Sequence, residues 1–163
     1  MKRLSTRLTI ALIVIIVGWL TYQGSDYFNC NGPKATDWVN ASTDRFDEAI
    51  SDQKTAEPFV QQVFQPSAQP STLSAYLRGA GVDLVKFANR AETRYKNQQS
   101  QETPSCLLDT QEELINVFYY DWQYYETAIS SDADGLNRYA QKYNDSVDQL
   151  RIELDRLTLK YSP

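Results

Sequence analysis

Apolar residues are distributed along this chain in two ways: one uncharged run near the N-terminus, and later segments in which they recur every three or four positions. The run extends from Leu8 to Ser25, LTIALIVIIVGWLTYQGS. At ~1.5 Å rise per residue its 18 residues make a helix of about 27 Å, close to the thickness of a bilayer's hydrocarbon core. Leu8, Ile10, Leu12, Ile16 and Leu20 supply the apolar surface, and Trp19 and Tyr22 suit the membrane–water interface. The later segments follow the 3.6-residue period of helices that bury one face.

Four such segments are expected. Helix A runs from Gly32-Pro33 to Gln53, with Val39, Ser42, Phe46, Ala49 and Gln53 on one face, Trp38 and Ile50 broadening it, and Thr36 or Asp37 as its cap. Phe59, Val60, Val63 and Phe64 follow Pro58 and extend A after a kink, and Gln65 to Ser71 reads as a loop around Pro66 and Pro70. Helix B covers Thr72 to Gln98, where Leu73, Leu77, Ala80, Leu84, Phe87 and Ala91 form one stripe, weakened by Gly79 and Gly81. Asn97 to Ser105 is a second polar linker. Helix C covers Cys106 to Ser130, with Leu108, Ile115, Trp122 and Ile129 seven apart and Phe118 and Tyr125 between them. Helix D, Asp134 to Tyr161, alternates Ala140, Val147, Leu154 and Tyr161 with Leu136, Tyr143, Leu150 and Leu157. No strand pattern competes. The expected fold is all-α: a single N-terminal transmembrane helix followed by an antiparallel bundle of about four helices with coiled-coil-like heptads. The alternative is a tandem coiled-coil hairpin with A left loose.

Charge orients this arrangement. Lys2, Arg3 and Arg7 precede the apolar run, which favours a cytoplasmic N-terminus. Residues 1–7 then form a short cytoplasmic segment, 8–25 the anchor and 26–163 an extracytoplasmic helical domain in a single-pass protein of the cell membrane. A cleaved signal peptide, leaving a secreted domain, is the rival reading, but a cut after Gly24 or Ser25 would put Tyr22 or Gln23 where a small residue belongs. Beyond the anchor, 13 basic residues face all 21 acidic ones, a net −8 that argues against nucleic acid as a partner.

The chain contains no histidine. Catalytic triads, HExxH zinc sites and Glu-x-x-His di-iron sites are thereby excluded, so neither an enzyme, a metal nor a cofactor is expected. The two cysteines, Cys30 and Cys106, lie outside the membrane in this topology and are expected to form one disulfide. In up-down-up-down order Cys30 precedes A and Cys106 begins C, so both fall at the membrane-proximal end.

Three local features bear on function. FYYDWQYY, from Phe118 to Tyr125, adds a second stripe to helix C, in which Val117, Tyr120 and Tyr124, with Tyr119 beside them, form the candidate interaction surface. The bland alternative is that helix C is simply buried on several sides. SSDADG, Ser130 to Gly135, departs from a calcium loop because Gln141 stands where the bidentate Glu belongs, and it reads as a turn with Asp132 or Asp134 capping helix D. Glu112 and Glu113 sit where the helix dipole favours acids and carry no separate argument for catalysis.

The expected function is a non-enzymatic, membrane-anchored module for protein interaction or envelope scaffolding. It contacts lipid through its N-terminal helix and a protein partner through its outer domain, with self-association a further expectation. The alternative is a small-ligand-binding sensor bundle acting through a membrane partner. In architecture alone the layout resembles the helical-bundle input domains of bacterial chemoreceptors, though with a single membrane segment and no cytoplasmic output domain. If Leu8 to Ser25 is a retained anchor, the native protein stays with membranes through alkaline and high-salt washes and is released by detergent. Recovery of chains starting after residue 25 in the soluble fraction would establish cleavage instead.

Overall fold

The computed structural model describes residues 30–63 and 70–161, with side chains described for 30–61 and 83–161. It is all-helical over those residues: α1 (Pro33–Val63), α2 (Pro70–Ser100), α3 (Leu108–Ile129) and α4 (Ala133–Tyr161), with a short 3₁₀ turn, Ser105–Leu107, leading into α3. Helices α2 and α4 each pack extensively on α3, while α1 closes the bundle more thinly against α2 and α4. No helix among the described residues is long and apolar enough to cross a membrane. Leu8 to Ser25, with Leu8, Ile10, Leu12, Ile16, Trp19, Leu20 and Tyr22, lies outside the described residues.

The expected inner faces hold for α1 and α4. Ala35, Trp38, Val39, Ser42, Phe46 and Ala49 are buried along α1, and Leu136, Tyr143, Leu150, Leu154, Leu157 and Tyr161 along α4. Leu84, Phe87 and Ala91 are buried on α2, whereas the Leu73, Leu77 and Ala80 side chains fall outside the described set. Two boundaries differ. Helix α1 begins before Thr36, whose hydroxyl is not a cap but donates to the Tyr161 carbonyl at 3.1 Å, and it continues helically through Pro58. Helix α2 starts at Pro70, a residue that serves well in a first turn because it has no N–H to leave unpaired.

Helix α3 departs most from expectation. Leu108, expected in the core, is 55% exposed, and Ile115, Trp122 and Ile129 are only half-buried. The inner face is shifted by one residue, to Leu107, Leu114, Asp121 and Ala128 with Val117, Phe118, Tyr124 and Tyr125. Of the stripe read as a recognition surface, Val117 and Tyr124 are therefore core, while Tyr119 and Tyr120 are half-buried.

Cys30 and Cys106 form a disulfide with Cα atoms 5.9 Å apart, joining the start of α1 to the turn that opens α3. Trp38 reinforces the same end by donating through Nε1 to Thr103 Oγ1 at 3.2 Å. At the opposite end α3 stops in a Schellman turn: the Asp132 amide donates to the Thr127 carbonyl, and Ser131 sits in the left-handed region at φ 58°. The Asp132 carboxylate then accepts from the Gly135 amide at 2.9 Å and caps α4, as the sequence predicts.

A Cβ at Gly135 would collide with the Asp132 carboxylate and approach Thr127 Cγ2 to 2.7 Å. Neither neighbour yields freely, because Asp132 is held by the cap and Thr127 by its hydroxyl bonds to the Gln123 and Tyr124 carbonyls. Gly135→Ala, although it improves intrinsic helix propensity by about 1 kcal/mol, is expected to destabilise the bundle by about 1–2 kcal/mol through loss of the cap. Urea denaturation measures this, and a variant as stable as the parent would remove Asp132 from the cap.

Candidate functional site

Halfway along the bundle the apolar core divides in two. One cluster, around Trp38, Phe46, Leu114, Phe118 and Leu154, lies toward the disulfide. The other, around Val60, Leu84, Tyr124, Tyr125 and Leu136, lies toward the opposite turn. Between them sits a charged layer drawn from three helices. Arg94 of α2, 4% exposed, donates to Asp52 of α1 at 2.7 Å and to Asp121 of α3 at 2.9 Å. Asp121 is fully buried and also accepts from Gln53 Nε2 at 2.8 Å, while Arg90 reaches Asp52 at 2.8 Å from the rim. A second polar group follows toward the disulfide, where the buried Gln98 donates to Gln111 at 2.6 Å and to Ser42 at 3.2 Å, and accepts from Arg45 at 2.7 Å.

Burial pushes the Asp121 carboxyl up to about 6, against the pull of Arg94 and Gln53. The same desolvation, with the Asp121 charge adding to it, raises the phenols of Tyr125 and Tyr143, and it lifts Tyr124 to about 12, where the Glu57 charge adds more than that of Asp121. Arg94 Nε and the hydroxyls of Tyr125 and Tyr143 are buried without a hydrogen-bond partner.

On the outer side of the same α3 turn the aromatic residues assemble. Tyr119 contacts Tyr95 of α2 with ring centroids 5.7 Å apart, Tyr120 at 6.0 Å, Trp122 at 6.3 Å and Tyr139 of α4 at 6.2 Å. Tyr95 also stacks on Trp122 at 5.7 Å. All five rings are partly exposed, forming a strip across three helices. Arg138 lies 5.0 Å from the Tyr139 centroid and Lys142 5.3 Å from that of Tyr120, so the α4 edge of the strip is cationic.

Of the expected surface, then, Tyr119 and Tyr120 are on the strip, but Val117 is fully buried and Tyr124 only 9% exposed, and both belong to the core rather than to the strip. Tyr95 and Tyr139 join the strip from other helices and carried no sequence signal, because half-buried single tyrosines are unremarkable there. Arg94 did carry one. Arg94 and Gln98 continue the four-three spacing of Leu84, Phe87 and Ala91, so their polarity at inward positions marks a buried network. No group of three or more metal-ligating side chains occurs among the described residues. Comparison of the chain with protein-family models, characterised proteins and solved structures finds no match, so the site is read from its geometry alone.

The raised Asp121 pKa has a direct consequence. Between about pH 4, the ordinary carboxyl range, and about 6 the folded protein holds a proton that the unfolded chain has lost, so this group's contribution to stability falls as pH rises through that window. In Asp121→Asn the contribution is absent. The stability of the parent minus that of Asp121→Asn, from urea denaturation at successive pH values, is expected to fall on the order of 3 kcal/mol between pH 4 and 7. A difference independent of pH, or one that grows, would mean that Asp121 is held ionised throughout.

Proposed function

We propose that this chain is a non-enzymatic interaction module, tethered to the membrane by Leu8 to Ser25 with its bundle outside, and that it binds a protein partner through the aromatic strip. The carrying observation is the strip itself: five partly exposed rings from three helices, each in contact with at least one other. Tyr and Trp give much contact area for little side-chain entropy, and here the rings are already held by one another, which lowers the ordering cost of binding. The cationic α4 edge, Arg138 and Lys142, favours a partner segment that covers the rings with apolar or prolyl side chains and sets an acidic residue against that edge.

Immobilised full-length chain, incubated with detergent extract of its native membranes, tests this. Tyr119→Ser with Tyr120→Ser is expected to lose the partner captured by the parent while the melting midpoint changes little, since both side chains are only half-buried. Equal capture by parent and variant, or repeated recovery of the parent as a lone monomer, would overturn the proposal.

A further inference from the structure

Charge around the aromatic strip is matched on one side and unmatched on the other. On the α2 side Lys96 pairs with Glu92 at 2.7 Å, and the Glu126 carboxylate accepts from Trp122 Nε1 at 3.2 Å. Along the groove between α3 and α4, Glu113, Arg138, Lys142 and Asp145 are all exposed. None of these four forms an ion pair among the described residues.

The four are ordered by sign along the groove. Helix α3 runs away from the disulfide end and α4 runs back toward it, so α3 residues before Tyr120 and α4 residues after Lys142 lie on the disulfide side. Arg138 and Lys142 stand over the rings of Tyr139 and Tyr120, at 5.0 Å and 5.3 Å from their centroids, and make that part of the groove cationic. Glu113 and Asp145 lie on the disulfide side, where together with Tyr120 they line a hollow of about 170 Å³. Such a hollow admits the end of one lysine or arginine side chain, and its two carboxylates suit a cation. Tyr120 thus stands between a cationic and an acidic half.

A surface with that order is complementary to itself. A two-fold axis through Tyr120, perpendicular to the groove, turns the cationic half of one copy onto the acidic half of another. Lys142 then meets Asp145 of the second copy and Arg138 meets Glu113 of the second copy, each pair forming twice, with Tyr119 and Tyr120 of both copies at the centre. A parallel two-fold would instead lay the cationic edge on the α2 side, where the acids are already engaged. We propose that the partner of the strip is a second copy of this chain, bound antiparallel about that axis. The proposal rests on the reading of the strip as an interaction surface, and it supplies the acidic residue that the cationic edge calls for. With both chains tethered in one membrane, the pair lies with its helices along the surface.

Sedimentation equilibrium of the full-length chain in density-matched detergent tests the pairing. The parent is expected to form a dimer in the micromolar range of small, partly polar interfaces. Lys142→Glu and Asp145→Lys are each expected to weaken it about tenfold or more, because the two-fold converts one substitution into two lost attractions and two new repulsions. Both side chains are exposed, so the melting midpoints of these variants are expected to stay with the parent's. An equimolar mixture of the two variants is expected to recover the dimer at concentrations where each alone is monomeric, since in the mixed pair both positions again meet an opposite charge. Pairing with a second copy is overturned if the parent stays monomeric throughout the micromolar range, if either variant pairs as tightly as the parent, or if the mixture stays monomeric. A parent that is monomeric when pure, yet captures a different protein that Tyr119→Ser with Tyr120→Ser loses, excludes the second copy and leaves the strip as the interaction surface. A dimer that survives Tyr119→Ser with Tyr120→Ser removes the strip as well.

Discussion

The buried pairing of Arg94 with Asp52 and Asp121 is the constraint around which the bundle is arranged. A guanidinium taken out of water must meet carboxylates, and these two come from different helices, so α1, α2 and α3 have one mutual register in which none of the three charges is stranded. Any slip of α1 or α3 by a turn would leave an unpaired ion in an apolar core, a cost far larger than the loss of a few methyl contacts. Apolar heptads alone slide more easily, since one leucine layer resembles the next. The ion layer lies between the two apolar clusters, so it sets the alignment of both. Net stabilisation is not required for that role, because a buried ion pair can be thermodynamically neutral against an apolar replacement and still exclude other registers.

The same turn of α3 serves two environments. Asp121 faces inward to the ion layer, while Tyr119, Tyr120 and Trp122 face outward across α2 and α4. A rigid helix makes these inseparable: fixing Asp121 fixes the azimuth of its neighbours, which is how partly exposed rings come to stand in one strip rather than wandering among rotamers. The gathering of Tyr95 and Tyr139 onto Tyr119 then follows from bundle geometry, since α2 and α4 flank α3 on both sides.

This dual role also explains what was legible in the sequence. The helical class, the four segments, the inner faces of α1 and α4, the Asp132 cap and the Cys30–Cys106 pair all follow from period, turn chemistry and cysteine placement. The face of α3 did not. Leu108, Ile115, Trp122 and Ile129 are uniformly apolar, whereas the true inner series, Leu107, Leu114, Asp121 and Ala128, contains an acid and a small residue. Ranking stripes by hydrophobicity selects the wrong one whenever a core position holds a paired charge, and the partner needed to recognise that pairing, Arg94, is 27 residues away on another helix. For the same reason the α2 stripe seemed to stop at Ala91, although Arg94 and Gln98 continue it in perfect spacing. The strip was legible in part, since Tyr119 and Tyr120 stand in FYYDWQYY, whereas Tyr95 and Tyr139 reach it from helices distant in sequence.

Helix α1 is the least tightly packed of the four, and the bundle treats it accordingly. Its start is held covalently by Cys30 to Cys106 and by Trp38 to Thr103, and its middle by Asp52 and Gln53 in the ion layer. A disulfide between residues 76 apart in sequence restricts the unfolded chain by roughly 4 kcal/mol on chain-entropy grounds, which offsets what thin packing leaves out. Beyond Gln53, α1 is held by Ala56 and Val60, which are buried in the second apolar cluster, while Lys54 and Glu57 stay exposed on its outer side. Binding surfaces need side chains that the core has not already claimed. In this bundle such side chains stand on the outer face of α3, where the core has no further use for aromatic rings.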